Sequence, residues 1–512
     1  MKQNCASRLP WPALIGSIAL LCIPALPANG QVAGQEGLAQ QVQQLTAAMS
    51  RTQARLEESQ HELEEMRQQL AALQQRMGSS GAAPAASEPS AAAQLAAKVD
   101  ELKEQQEVQQ SQIATQDQAK VESDSKYPVK VSGLILLNGF MNTQRVDMAS
   151  TPTIAIGGPG STGLSVLQTV LGLDARGPHL FGARSFGDVR VDFNGGSPSS
   201  ASATTGYSGG IGLLRLRTAH ATMEWEHTQA FFSLDRPILS PNTPSSLTAI
   251  AVPALAWSGN LWTWNPQVGV THDLALSASQ RLRMQAALID VSDPPAVANG
   301  GAPTTAVATT NPITPPTTAE QSRWPGVETR FALLGSQRED GAQIGVGGFF
   351  APHRLPDSTR FDAWAGTLDY RLLLPARLQL SGSAYRGQAL GGLGGGGYKD
   401  YASYHEGNEF YFRALDDMGG WAQLKEQVNE RLQFNAAFGL DNVPAGQLRP
   451  YAGAYTAYYQ NLARNRTYTG NVIYSPSAYL LFSLEYRHID SSPVNAPTTG
   501  SNIIGVGAGY KF

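Results

Sequence analysis

Hydrophobic positions along this chain repeat with two different periods, and the switch between them divides it. From Leu38 to Met77 the candidate core positions advance alternately by four and three: Leu38, Val42, Leu45, Met49, Thr52, Leu56, Ser59, Leu63, Met66, Leu70, Leu73 and Met77. Only Thr52 and Ser59 are polar, and no glycine or proline interrupts the run. This is the spacing of a coiled coil about 60 Å long at 1.5 Å per residue, and it implies an oligomer. The alternative, one amphipathic helix laid on a globular core, suits the pattern less well because so narrow a stripe covers little core. Leucines and methionines mixed at both seam positions do not choose between two and three strands.

A low-complexity linker follows over 78–93, opening G-S-S-G-A-A-P. The next segment, 94–126, is again helical in pattern. Leu95, Val99, Leu102 and Ile113 keep the heptad while Gln106 and Gln109 fill the seam, so it reads as a weak continuation of the stalk or a collar.

At Tyr127 period two replaces period seven. Tyr127, Val129, Val131, Ile135 and Leu137 alternate with Lys130, Ser132 and Asn138, the signature of a strand. From 127 to 512 the pattern predicts sixteen strands, the first over about 129–143, the second over about 166–177 and the last over about 501–512. Short turns, as at 226–228, 277–279 and 374–376, alternate with long loops rich in Gly, Pro, Ser and Thr. That asymmetry is expected of an outer-membrane barrel, with periplasmic turns on one rim and extracellular loops on the other. The final stretch, N-I-I-G-V-G-A-G-Y-K-F, puts Ile504, Val506, Ala508, Tyr510 and Phe512 on one face for lipid and glycines on the other. The stretch resembles the closing strand of bacterial outer-membrane barrels, which implies that its terminal aromatic is part of a membrane-insertion signal; the alternative is an edge strand in a soluble sheet. The expected fold is an all-β transmembrane antiparallel barrel of about sixteen strands, preceded by an α-helical coiled-coil stalk.

Residues 1–30 look like an export signal: Lys2 and Arg8, an apolar run from Ala13 to Leu26, then small residues at Ala28 and Gly30. Both cysteines, Cys5 and Cys22, lie inside it, so disulfide chemistry is not expected of the remainder. A net charge of -4 without basic blocks gives no sign of nucleic acid. Among candidate sites, Arg190, Arg215, Arg217 and Arg236 stand on three consecutive strands. Arg215 and Arg217 share a face that must be lumenal, because arginine in mid-bilayer lipid costs about 2–4 kcal/mol. With Asp188, Asp192 and Asp235 nearby, they form either an electropositive eyelet for anions or a salt-bridge ladder that stiffens the wall. The long, apolar connection 239–260 is a candidate for folding into the lumen, the alternative being a latch on the rim or a neighbouring subunit. Gly392–Gly397 matches a phosphate-loop pattern formally but reads as a flexible loop, and His405, Glu406 and Glu409 as a solvated one. No catalytic constellation, cofactor or metal site is expected, and nothing suggests an enzyme.

The export signal, the coiled coil, the junction K-V-E-S-D-S-K-Y-P-V-K-V-S-G-L at Lys120–Leu134, R-L-R-T-A at Arg215–Ala219 and the terminal phenylalanine together resemble the DcaP-like porin family of Gram-negative outer membranes. The resemblance implies a homotrimer of sixteen-stranded barrels with N-terminal coiled coils in the periplasm, and arginine-lined constrictions, carried here by Arg215 and Arg217, that in some members admit dicarboxylates. The expected partners are outer-membrane lipid, the barrel-insertion machinery and further copies of the chain, with peptidoglycan as a stalk ligand. The expected function is passive diffusion of small hydrophilic solutes; the alternative is a structural envelope protein with the barrel as anchor and the coiled coil as tether.

Overall fold

The structure, a computed structural model, describes residues 129–195, 212–294, 316–335, 341–407, 409–452 and 458–512. The export signal, the heptad positions between Leu38 and Met77, the linker and the segment 94–126 lie outside the described residues.

The strands are β1 (Val129–Val146), β2 (Ala155–Ser165), β3 (Val170–Leu180), β4 (Ala183–Asp192), β5 (Arg215–Glu224), β6 (Thr228–Asp235), β7 (Asn265–Ala275), β8 (Arg281–Ile289), β9 (Gly326–Leu334) and β10 (Gln343–Arg354). They continue with β11 (Arg360–Leu374), β12 (Leu378–Gln388), β13 (Tyr401–Glu406), β14 (Glu409–Ala414), β15 (Asp416–Gln427), β16 (Leu432–Asn442), β17 (Leu462–Tyr474), β18 (Leu480–Pro493) and β19 (Thr499–Lys511). Two departures from simple succession reduce these to sixteen barrel strands. β2 and β3 are successive lengths of one strand, since β1 pairs with β2 beyond Asn138 and with β3 before Leu134. β13 and β14 form a separate hairpin in the connection from β12 to β15.

Every other neighbour is antiparallel, and β19 returns to β1 with Tyr510 opposite Ile135 and Ile504 opposite Met141. The backbone of Phe512 exchanges hydrogen bonds with Gly133, at 3.1 and 3.0 Å, so the last residue helps close the ring. Closure satisfies the backbone groups that an open sheet would leave bare, the requirement for a sheet in lipid. Among the described residues no helix is long and apolar enough to cross a membrane.

The expected second strand starts too late. Its first length, β2, reads A-I-G-G-P-G-S-T-G-L-S and lacks apolar alternation. The glycines have a packing reason: a Cβ on Gly160 would lie 2.1 Å from the Asn142 carbonyl oxygen of β1.

Burial is inverted relative to a water-soluble sheet. Outward positions are apolar and bare, as with Val346 at 55%, Leu484 at 58% and Val506 at 53% exposure, while Asp369, Asn465 and Glu485 are buried inside. An apolar band of this extent marks a membrane-facing surface. On β19, Ile504, Val506, Tyr510 and Phe512 are exposed on the outer face as the alternation predicts, with Ala508 half-buried between them. Tyr479, Tyr510 and Phe512 form a line of rings 6.4 Å apart near the short-turn rim. Part of the lumen is packed: Leu239, Leu261, Ile289, Phe349, Phe361, Tyr385 and Leu393 form an apolar cluster toward the long-loop rim.

Candidate pore constriction

The connection from β6 to β7, residues 236–264, runs inside the barrel. Its apolar side chains, among them Leu239, Ala251, Ala254 and Trp257, are buried. Its polar groups reach far strands: Asn242 donates to the Tyr370 carbonyl, the Ser245 amide to Gln423 and Ser246 Oγ to Glu485. Gln168 accepts from the amides of Ile250 and Ala251, and Asn465 donates to the Trp257 carbonyl. The wall makes room with glycine. A Cβ on Gly439 would lie 2.1 Å from the Ser258 carbonyl oxygen, and those on Gly505 and Gly507 would press Thr248 and Leu247 at 3.1 and 3.3 Å. The glycine face of β19 therefore carries this loop.

Where the loop leaves β6 it meets the candidate arginines. Arg215 donates from Nε and Nη2 to the two oxygens of Asp192, at 3.0 and 2.7 Å, and to the Ala251 carbonyl at 2.7 Å. Arg217 Nε is 3.7 Å from the same carboxylate. Both guanidiniums lie over Trp264, at 4.9 and 5.2 Å from its ring centre, an arrangement that favours cations electrostatically. A bulge between Arg190 and Val191 shifts the register and brings both arginines to the inside. Arg217, Asp235 and Arg236 line a cavity of about 300 Å³ with Thr243, Ser246 and Ile250. In the described structure Arg217 Nη1 and Arg236 Nη1 are buried without a hydrogen-bond partner.

The structure does not gather all four arginines as free charge. Arg190 is held by Asp174, at 2.5 Å, a partner the sequence reading missed. Asp188 and Asp235 are bridged by His220, through Nδ1 at 2.7 Å and Nε2 at 3.1 Å, also missed. Four arginines thus face four carboxylates here, and the quadrant is a balanced network more than an electropositive patch.

A less balanced surface lies across the lumen. Arg371 of β11, Arg377 of the following turn and Lys425 of β15 line a cavity of about 660 Å³ with Asn242, Thr243, Ser381 and Gln423, and among the described residues no carboxylate lines it. The register explains the grouping: Arg371 is opposite Ser381 and Gln379 is opposite Lys425, so one strand separates the two cations. Arg371 Nη2 donates to Asn242 Oδ1 at 2.8 Å, tying the charge to the loop. The parity of W-A-Q-L-K-E-Q, with Leu424 outward, was the available sequence signal for Lys425. A neighbouring Arg330–Asp369 pair is buried, at 2.7 Å, and adds no net charge.

The Gly392–Gly397 run is not a free loop: it is buried inside the barrel. Glu406 and Glu409 are exposed on the β13–β14 hairpin, and among the described residues no cluster of acids, histidines or cysteines is arranged to hold a metal ion.

The sequence matches no protein-family model and none of the curated proteins. Solved structures do match. The outer membrane channel DcaP of Acinetobacter baumannii superposes with a TM-score of 0.55 at 16% identity, over 76% of this chain and 99% of that one. The chain thus shares the barrel fold of that channel. An anion-selective porin from Comamonas acidovorans matches at a TM-score of 0.45 and 8% identity, over 76% and 100%, and OmpF of Salmonella typhi at 0.42 and 11%, over 76% and 99%. The share of the chain that matches DcaP is close to the length of the DcaP-like barrel described above.

Proposed function

We propose that the protein is an outer-membrane porin, a water-filled channel for passive diffusion of small hydrophilic solutes that favours anions, dicarboxylates among them. Sixteen strands enclose more space than side chains alone fill, and the β6–β7 loop narrows that space. Charge in a narrow lumen walled by low-dielectric protein acts at longer range than in bulk water. The observation that supports the anion preference is the cavity beside the loop, whose described lining residues include three cations and no carboxylate. Arg217 and Arg236, each with a buried nitrogen unsatisfied, supply a second and weaker attraction on the other side of the loop.

In this reading the short turns and both ends of the barrel face the periplasm and the long loops face outward. The coiled coil lies in the periplasm and joins three copies, with peptidoglycan as its candidate contact. Outer-membrane lipid covers the apolar band, and Ile504, Val506, Ala508, Tyr510 and Phe512 are read by the insertion machinery. Reconstitution of the purified protein into planar bilayers tests the function: stepwise conductance is expected, and its absence removes the porin reading in favour of an anchor.

A further inference from the structure

The connection between β12 and β15 enters the lumen on the long-loop side. Every residue from Ala389 to Asp400 is buried. Its glycines are required by the fit. Gly394, Gly396 and Gly397 have φ of 101°, 63° and 54°, and a Cβ on Gly392 or Gly395 would lie 2.3 Å from Val291 Cγ1 or 2.6 Å from Asp417 Oδ2.

The segment is fixed at its tip by charges that its own backbone and the wall absorb. Asp417 of β15 accepts from the Gly396 amide at 2.6 Å; Asp441 of β16 accepts from the Gly397 amide at 2.8 Å and from Tyr385 Oη at 2.6 Å. Lys399, 1% exposed, donates to the carbonyls of Gly397, Tyr459 and Leu462 at 3.0, 3.1 and 2.6 Å. Tyr398 stacks on Trp257 of the β6–β7 loop with ring centres 4.0 Å apart, so the two inward connections touch.

We propose that Ala389–Asp400 is a second constriction, in series with the β6–β7 loop, which sets the size of solute admitted from the long-loop side and is held in place by Lys399 as a positioning residue. The proposal rests on the channel reading, but the two constrictions act differently. The cavity at Arg371 and Lys425 presents charge to the lumen, whereas the charges at Lys399 are enclosed by hydrogen bonds, so this segment acts by obstruction. Removing the ammonium leaves three buried carbonyls without their donor, which unseats the segment.

The test uses the full chain in liposomes and planar bilayers, comparing the wild type with Lys399→Met/Asp417→Asn and with a variant lacking Gly392–Gly397. The double substitution keeps the net charge, and the deletion leaves the wall intact should the double variant fail to assemble. Faster entry of larger sugars and higher conductance are expected, with the reversal potential in a salt gradient unchanged. A variant that forms the heat-modifiable barrel yet keeps the wild-type size limit overturns the second constriction while leaving the porin reading standing. A wild type that does not conduct removes both.

Discussion

Two sectors of the lumen use charged side chains in opposite ways. At Asp192 and Lys399 the charges are buried and answered, by ion pairs in the first case and by backbone carbonyls in the second. At Arg371 and Lys425 the charges line an open cavity, with amides and hydroxyls among its described lining residues. The difference teaches that counting arginines does not locate an electropositive site. A buried charge is retained only where it is neutralised, so a cation that lines an open cavity, as Lys425 does, is a better guide to selectivity than a cation count.

Removing an answered charge has the largest expected effect on stability. Asp192→Asn leaves Arg215 and Arg217 without their shared carboxylate and is expected to cost about 3–5 kcal/mol. Lys425→Gln, on the open wall, is expected to change stability by less than about 0.5 kcal/mol while altering ion selectivity. Denaturant unfolding of the two variants in parallel checks the contrast, and equal losses would dissolve the distinction between the sectors.

Next comes the path of the β6–β7 loop. Gly259 has φ of 94°, and a Cβ there would lie 2.1 Å from the Gly420 carbonyl oxygen. Gly259→Ala is expected to cost about 1–3 kcal/mol locally and to push the loop from β15, seen as noisier and larger conductance steps. Unaltered conductance would mean that the turn at Gly259 does not hold the constriction.

A smaller effect concerns pH. Burial, with Asp293 close by, pushes the Asp400 carboxyl up to about 8, so its contribution to the seated segment is complete below about 3.8 and lost as pH rises through 8. Burial pushes the Lys399 ammonium down to about 7 despite Asp441 and Asp417, so its contribution is complete above about 10.5 and lost as pH falls through 7. The seat is weakest between about 7 and 8. Protease nicking of Ala389–Asp400 in membrane-embedded protein should therefore rise from pH 5 to pH 7.5, and Asp400→Asn should flatten that rise. An identical profile in the variant would assign the dependence to another group.

Much of the fold was legible because a membrane barrel writes its pattern with period two. Outward Leu424, Val506 and Leu484 and the alternation of short turns with long loops give strand count and closure, and the apolar run around Ala251 and Trp257 marks an inward loop. The β2 length was illegible because glycine does there what apolar alternation does elsewhere. The glycine-rich run at 392–397 misled for the same reason: glycine signals freedom in a sequence but tight contact in a packed lumen. Asp174 and His220 were missed because pairing across strands depends on register, and in the β4–β5 ladder, which carries His220, a bulge between Arg190 and Val191 shifts that register. Arg371 and Lys425 lie 54 positions apart, and only the register of β12 between them makes them neighbours.

The central claim is that the wall carrying Arg371, Arg377 and Lys425 gives the channel its anion preference. Its most direct test is the zero-current potential of the reconstituted channel across a salt gradient, for the wild type and for Arg371→Gln/Lys425→Gln. The wild type should prefer anions, and the double variant should move toward cations at about 0.1 M salt, where screening reaches about 10 Å, and less at 1 M, where it reaches about 3 Å. A wild type without anion preference, or a double variant with the wild-type potential at low salt, would contradict the account.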